Sequence, residues 1–98
     1  MAGPEKRYEL KIRKLLTDHG WYVIKYFANG ATKSGIPDLL CCSPNGRFVA
    51  IEVKAEHGRP SALQIYNIDE INKRNGIGMI LYPKDWDDFK RMVLEECI

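Results

Sequence analysis

An acidic residue and a lysine stand inside an otherwise apolar stretch of this sequence. Glu52 and Lys54 interrupt the segment 47–55, which has the composition of a core strand. Because side chains alternate along a strand, Glu52 and Lys54 share one face, whereas Ile51 and Val53 take the other. Burying charged groups costs free energy unless they are paired or have a function. This pair is therefore the first candidate for chemistry.

A second carboxylate precedes this strand. Asp38 opens the short apolar segment 38–42, and the turn residues 43–46, Ser-Pro-Asn-Gly, follow it. Asn-Gly favours a tight hairpin, which would bring Asp38 beside Glu52. Carboxylates this close repel one another unless they share a proton or bind a divalent cation. Because the candidate ligands are all oxygens, Mg²⁺ or Mn²⁺ is favoured over zinc.

The first helix offers another carboxylate. Its apolar residues recur with helical spacing: Tyr8, Ile12, Leu15 and Leu16. This pattern predicts an amphipathic helix from about Pro4 to His19, ended by Gly20. Glu9 falls on its buried stripe, and Glu5 lies one turn further out as the alternative. Both also fit acids that the helix dipole favours near a helix N-terminus.

The remaining elements give the order α-β-β-β-α-β-α. Predicted strands cover about 21–27, 38–42, 47–55 and 77–82, and later helices about 60–74, with Ile65, Ile68 and Ile71 inward, and 85–97, with Phe89, Met92 and Val93 inward. Tyr26 and Phe27 are expected in the core. The pattern predicts a mixed α/β fold around one sheet.

Length and composition indicate one domain spanning residues 1–98. The chain is 45% hydrophobic, which is enough to fill a core of this size. No apolar run approaches the roughly 18 residues of a membrane span, and the N-terminus lacks the apolar stretch of a signal peptide. The three cysteines have neither disulfide nor zinc spacing. We therefore expect an intracellular protein without a membrane partner.

Charge is distributed unevenly along the chain. Residues 1–60 carry ten Lys or Arg against six Asp or Glu, a net charge of +4, and residues 61–98 carry five against seven, a net charge of −2. If some of the first six acids hold a metal ion, the corresponding surface becomes more positive still, as a nucleic-acid-binding protein requires.

The residues Gly35-Ile36-Pro37-Asp38 followed by Glu52-Val53-Lys54 match the PD-(D/E)XK signature of restriction-endonuclease-like nucleases. The longer run, with its GxPD, IEVK and Ser61-x-x-Gln64, resembles the virus-type replication-repair nuclease (VRR-NUC) domain over about residues 5–64. The sequence also resembles archaeal Holliday junction resolvases. Small domains of this kind occur in phages, so the resemblance implies an intracellular location, in the cytoplasm of a bacterial host if the chain is phage-encoded.

The resemblance implies a Mg²⁺- or Mn²⁺-dependent endonuclease that hydrolyses DNA phosphodiesters by attack of a metal-activated water. Asp38, Glu52 and the Val53 carbonyl would bind the metal, and Glu9 would join directly or through water. Lys54 would orient or deprotonate the water, or neutralise phosphate charge. For Gln64 two readings stay open, a capping box with Ser61 and a role beside the metal.

Phosphate contacts are expected from basic residues flanking the site: Lys25, Lys33, Arg47 and Arg59. The expected enzyme is a homodimer that cleaves four-way or related branched DNA in repair, since two symmetric cuts need two sites. Aromatic residues are expected to supply the dimer contact: Trp21, Tyr66, Trp86 and Phe89. The alternatives are a nicking or general DNA endonuclease of the same fold and a non-catalytic DNA-binding module.

Overall fold

The computed structural model describes residues 3–27 and 34–98 of the chain. Its helices are α1 (Pro4–Asp18), α2 (Ala62–Lys73) and α3 (Trp86–Leu94), and a short 3₁₀ turn at Pro83–Asp85 leads into α3. Its strands are β1 (Tyr22–Lys25), β2 (Leu39–Cys42), β3 (Phe48–Val53) and β4 (Ile77–Leu81). The predicted order of elements and the mixed α/β class are confirmed.

The strands form one sheet in the order β1-β2-β3-β4. β1, β2 and β3 pair antiparallel, whereas β3 and β4 pair parallel because α2 carries the chain back across the sheet. The β2–β3 hairpin pairs Leu39 with Ile51 and Cys42 with Phe48. This register fixes which residues meet at the open end of the hairpin.

The core lies on one face of this sheet. α1 packs against β1 and β3, and α3 adds Phe89 and Val93 to the same buried cluster. The strands contribute alternate residues to it, among them Leu39, Cys41, Val49, Ile51, Val53 and Leu81. Because Ile51 and Val53 point into this core, Glu52 must point to the other face, where α2 packs against β3 and β4.

The helix ends follow the signals in the sequence. Gly20 adopts a φ of +84° just after α1, a conformation that glycine enters without strain. Ser61 caps α2 in a reciprocal capping box with Gln64. The hairpin turn closes through a hydrogen bond from Gly46 N–H to Ser43 O (2.8 Å), with Gly46 at a φ of +82°. The turn thus spans 43–46, as predicted from its composition.

Several expected core residues lie elsewhere. Phe27 is 72% exposed and lies two residues beyond the end of β1 at Lys25, outside the paired part of the sheet. Ile65 is also exposed, and Asn67 and Ile68 are the buried residues of α2. The strand predicted over 47–55 is shorter at both ends, Phe48–Val53. Within the described ranges, no helix is long and apolar enough to cross a membrane.

Candidate active site

The open end of the β2–β3 hairpin brings two carboxylates side by side. Leu39 pairs with Ile51, so one step beyond that pair Asp38 lies opposite Glu52. Asp38 Oδ2 accepts a hydrogen bond from the Val53 N–H at 2.8 Å. This bond fixes the Asp38 side chain across the hairpin, next to the backbone of Val53. The predicted proximity of Asp38 and Glu52 follows from this register.

The approach to Asp38 is held by a contact that the sequence did not predict. Asn67 is buried on α2 and donates its side-chain N–H to Gly35 O at 3.1 Å. Gly35 has a φ of +79°, and a Cβ there would lie 2.6 Å from Leu63 Cγ. The first residue of the GxPD motif therefore has to be glycine, since the chain passes directly over α2 just before Asp38.

Glu9 lies on the buried stripe of α1, whereas Glu5 is exposed. Its neighbour Tyr8 donates a hydrogen bond to Tyr82 O at 2.7 Å, which fixes this end of α1 against the end of β4. Three cations surround the Glu9 carboxylate: Lys25 at 2.7 Å, Lys6 at 3.1 Å and Arg13 at 3.5 Å. Burial alone would raise the pKa of Glu9, but hydrogen bonds from Lys25 and Lys6 hold it below its usual range.

Glu52 has the opposite environment. Its side chain is 2% exposed, and Oε1 is buried without a hydrogen-bond partner among the described residues. Burial first, and then the Asp38 carboxylate, raises the pKa of Glu52 to about 7, against the opposing effect of Lys54. An unpaired buried carboxylate oxygen is unfavourable by itself. It is the group a bound cation would stabilise most.

Lys54 extends from the end of β3 beside Glu52. Its Nζ lies 3.4 Å from Glu52 Oε2, and its side chain is 12% exposed. Its N–H donates to Leu81 O at 2.9 Å, so the backbone here is fixed to β4. Gly58 packs against its aliphatic part, since a Cβ there would lie 3.3 Å from Lys54 Cδ. The lysine is thus held in the site rather than extended into solvent.

Gln64 forms the predicted cap and also contacts Glu52. Its Oε1 accepts from the Ser61 N–H at 2.8 Å, which completes the capping box. Its Nε2 donates to Glu52 Oε2 at 3.1 Å. The two ends of one amide therefore connect the start of α2 to the carboxylate on β3, and the orientation of the amide is fixed by the cap.

The residues expected to contact phosphate separate into different places. Lys25 contacts the carboxylates of Glu9 and Asp38. Arg59 and Lys84 line a cleft of about 460 Å³, which also includes Gly58, the residue that packs against Lys54. Arg47 is at the opposite end of β3, roughly 16 Å from Glu52 along the strand, and binds Asn75 O. Lys33 lies outside the described residues. Lys84 was not predicted, because nothing in its local sequence sets it apart from other surface lysines.

The comparison with known families agrees with this geometry. Residues 5–83 match the family model described as the VRR-NUC domain. This range includes the five residues of the candidate site: Glu9, Asp38, Glu52, Lys54 and Gln64. The chain belongs to the VRR-NUC family. It is therefore a nuclease domain, as the resemblance implied. No curated protein matches the chain significantly.

Two solved structures are similar to this VRR-NUC domain. A structure described as a VRR_NUC domain aligns with a TM-score of 0.75 and 22% identity, covering 94% of this chain and 96% of the other. Hjc from Archaeoglobus fulgidus, a Holliday junction resolvase, aligns with a TM-score of 0.55 and 20% identity, covering 79% of this chain and 67% of that one. At these identities the likeness shows the fold, which confirms the predicted restriction-endonuclease-like core.

Nucleases of this type generally use divalent metal ions. Among the described residues, no three His, Cys, Asp or Glu side chains form a ready metal cluster. The donors nonetheless fit a hard cation, because the carboxylates of Asp38 and Glu52 are neighbours across the hairpin and Glu52 Oε1 is buried without a hydrogen-bond partner among the described residues. What separates Glu9 from Asp38 is the amino group of Lys25, which contacts both.

Proposed function

We propose that this VRR-NUC domain is a Mg²⁺- or Mn²⁺-dependent, structure-selective DNA endonuclease. The main observation in support is the orphaned Oε1 of Glu52, buried next to a second carboxylate, Asp38. Protein structures seldom keep such a group unless a ligand compensates it. A non-catalytic DNA-binding module would have no use for it.

Asp38, Glu52 and the Val53 carbonyl would hold the ion, and Glu9 would join them directly or through water. When bound, the ion supplies Lewis-acid stabilisation of the phosphate and a nucleophile at neutral pH. Lys54, 3.4 Å from Glu52, can stabilise negative charge developing on the phosphate or take up a proton. Gln64 keeps Glu52 oriented through its Nε2.

DNA is the substrate we infer, and branched DNA is the preferred form. The cleft lined by Arg59 and Lys84 also includes Gly58, which packs against Lys54, and its two cations suit phosphates close to the cut. Backbone contacts of this kind select for DNA shape rather than base sequence. We place this activity in DNA repair inside the cell, in the bacterial cytoplasm if the chain is phage-encoded.

A homodimer would supply two such sites for a four-way junction. Three of the aromatics expected at its interface belong to the core instead: Trp21 and Phe89 are buried and Trp86 packs against them, whereas Tyr66 is 54% exposed. An apolar row crosses the sheet face opposite the core, because Tyr22 pairs with Cys42 and Cys42 with Phe48. Tyr22 and Phe48 are exposed, so this row is the better candidate for the contact.

The test is cleavage of labelled four-way junction, flap, duplex and single-stranded DNA with Mg²⁺, Mn²⁺ or EDTA. We expect metal-dependent cutting, fastest on the junction, that Asp38→Asn abolishes. Asp18→Asn is the matched control, since Asp18 is an exposed acid of α1 that pairs with Lys14. Equal cutting of junction and duplex would favour a general or nicking endonuclease, and cutting in EDTA would refute metal dependence.

Light scattering at micromolar concentration tests the dimer and should give about twice the chain mass of 11.3 kDa. A Tyr22→Lys/Phe48→Lys double variant should be monomeric, because charges on the apolar row oppose its burial. Leu94→Lys, at an exposed leucine of α3, is the control and should stay dimeric. A monomeric wild-type protein would refute the dimer and leave the metal site untouched.

A further inference from the structure

Lys25 is the one basic side chain that reaches both Glu9 and Asp38 among the described residues. Its Nζ lies 2.7 Å from Glu9 Oε1 and 3.7 Å from Asp38 Oδ1. The side chain is 16% exposed, and the Glu9 carboxylate only 6%. The sequence predicted a phosphate contact for Lys25, but its amino group is turned into the protein towards two acids.

The position of this amino group is that of a cation between carboxylates. Glu9 comes from α1 and Asp38 directly precedes β2, so the Lys25 amino group joins acids of two different elements in a poorly solvated site. Lys25 therefore compensates the charges of Glu9 and Asp38, whereas the buried Oε1 of Glu52 lacks a hydrogen-bond partner among the described residues.

We propose that Lys25 is an internal counter-cation that holds Glu9 and Asp38 together before metal binds and that an incoming divalent ion has to displace. The inference rests on the proposed metal-dependent function and deepens it. Lys25 then acts as a positioning residue that holds Glu9 and Asp38 before metal binds. It also weakens metal affinity, because the ion and the ammonium compete for the same carboxylate oxygens.

The Lys25 amino group also lies near an aromatic ring. The Phe27 ring lies with its centroid 5.8 Å from Nζ and is largely exposed. An ammonium over an aromatic face is favourable at this distance. The exposed Phe27 ring therefore remains as a favourable neighbour for the ammonium when a divalent ion takes its place at the carboxylates.

The test compares wild type with Lys25→Met, which keeps an unbranched side chain of nearly the same length and removes the charged amino group. In EDTA, we expect a lower Tm for Lys25→Met, since Glu9 and Asp38 lose their shared cation. Mn²⁺ titrated without DNA, followed by calorimetry, should bind at least about fivefold more tightly to Lys25→Met than to wild type. Lys25→Arg, which retains the charge, should restore both wild-type values.

Lys14→Met is the matched control, because Lys14 forms an exposed pair with Asp18 at 2.9 Å and should change neither value appreciably. Mn²⁺ affinity of Lys25→Met equal to or below that of wild type would overturn the inference, as would a Tm loss no larger than for Lys14→Met. An enzyme that still cuts DNA with Mn²⁺ would then keep the proposed function. If wild type neither binds Mn²⁺ nor shows metal-dependent cleavage, the function fails, while the Tm comparison still decides the role of Lys25.

Discussion

Glu9 and Glu52 are both buried glutamates of the candidate site, yet their pKa values are shifted in opposite directions. Glu9 has Lys25, Lys6 and Arg13 around it, and its pKa is held below the usual range. Among the described residues, Lys54 is the one cationic neighbour of Glu52, Asp38 opposes it, and the pKa of Glu52 rises to about 7. The difference shows that burial alone does not set the charge of a carboxylate; the balance of neighbouring charges does.

Neutralising each glutamate in turn tests whether the two charge environments have opposite effects on stability. Glu52→Gln and Glu9→Gln should both reduce cleavage by about 10³-fold or more, because each removes a proposed metal ligand. Their effects on Tm in EDTA should have opposite signs. Glu52→Gln should raise it, by removing a repulsive buried charge, and Glu9→Gln should lower it, by leaving three cations without their acid. Thermal denaturation with equal signs for both variants would contradict the account.

Lys54→Ala should lower turnover by about 10²-fold, typical of a lost proton-transfer or charge-stabilising group. Mn²⁺ binding should persist, because the carboxylates remain. Single-turnover cleavage and calorimetry separate the two effects. If Lys54→Ala lost metal binding along with activity, its role would be to hold Glu52 rather than to act on the phosphate.

The raised pKa of Glu52 predicts a pH dependence of the metal-free protein. Between about pH 4.5 and 7 the folded state keeps a proton on Glu52 that the unfolded chain has released. The free energy of unfolding therefore falls as pH rises through this window, by on the order of 3 kcal/mol from this group. Urea denaturation in EDTA at several pH values measures it. Glu52→Gln, which cannot titrate, should lose this slope, and an unchanged slope would contradict the assignment.

The smallest expected effect concerns the support of Asp38. Asn67→Ala removes the hydrogen bond to Gly35 O and should reduce cleavage by roughly tenfold through misplacement of Asp38. Asn72→Ala on the same helix is the control, since Asn72 binds Gly78 far along the chain from Asp38. If the two variants cut DNA equally well, the Asn67 contact supports stability only.

Much of the fold was readable from local signals. The apolar period of α1, Gly20 after it and the Ser61 capping box predicted helix bounds to within about two residues, because each signal reports a local conformation. The hairpin register followed from one turn. Exposure was predicted less well: Phe27 and Ile65 were expected to be buried, and both are exposed. Burial depends on which distant elements pack against a residue, and no local pattern records that.

The candidate site was predictable in its residue types but not in its charge balance. Asp38, Glu52 and Lys54 follow from the motif, and Gln64 turned out to serve cap and carboxylate together. The place of Lys25 was missed because β1 and α1 determine it jointly: only their packing brings its amino group to Glu9. Pairings between distant elements of this kind are the part that sequence alone leaves open.

The most direct test of the metal site is Mn²⁺ binding by calorimetry, without DNA, to wild type, Glu52→Gln and Asp18→Asn. We expect Mn²⁺ to bind wild type and Asp18→Asn but not Glu52→Gln. An unchanged or higher Tm shows that Glu52→Gln is folded. Equal Mn²⁺ affinity in Glu52→Gln and wild type would contradict the claim that the orphaned carboxylate of Glu52 is there to hold a metal ion.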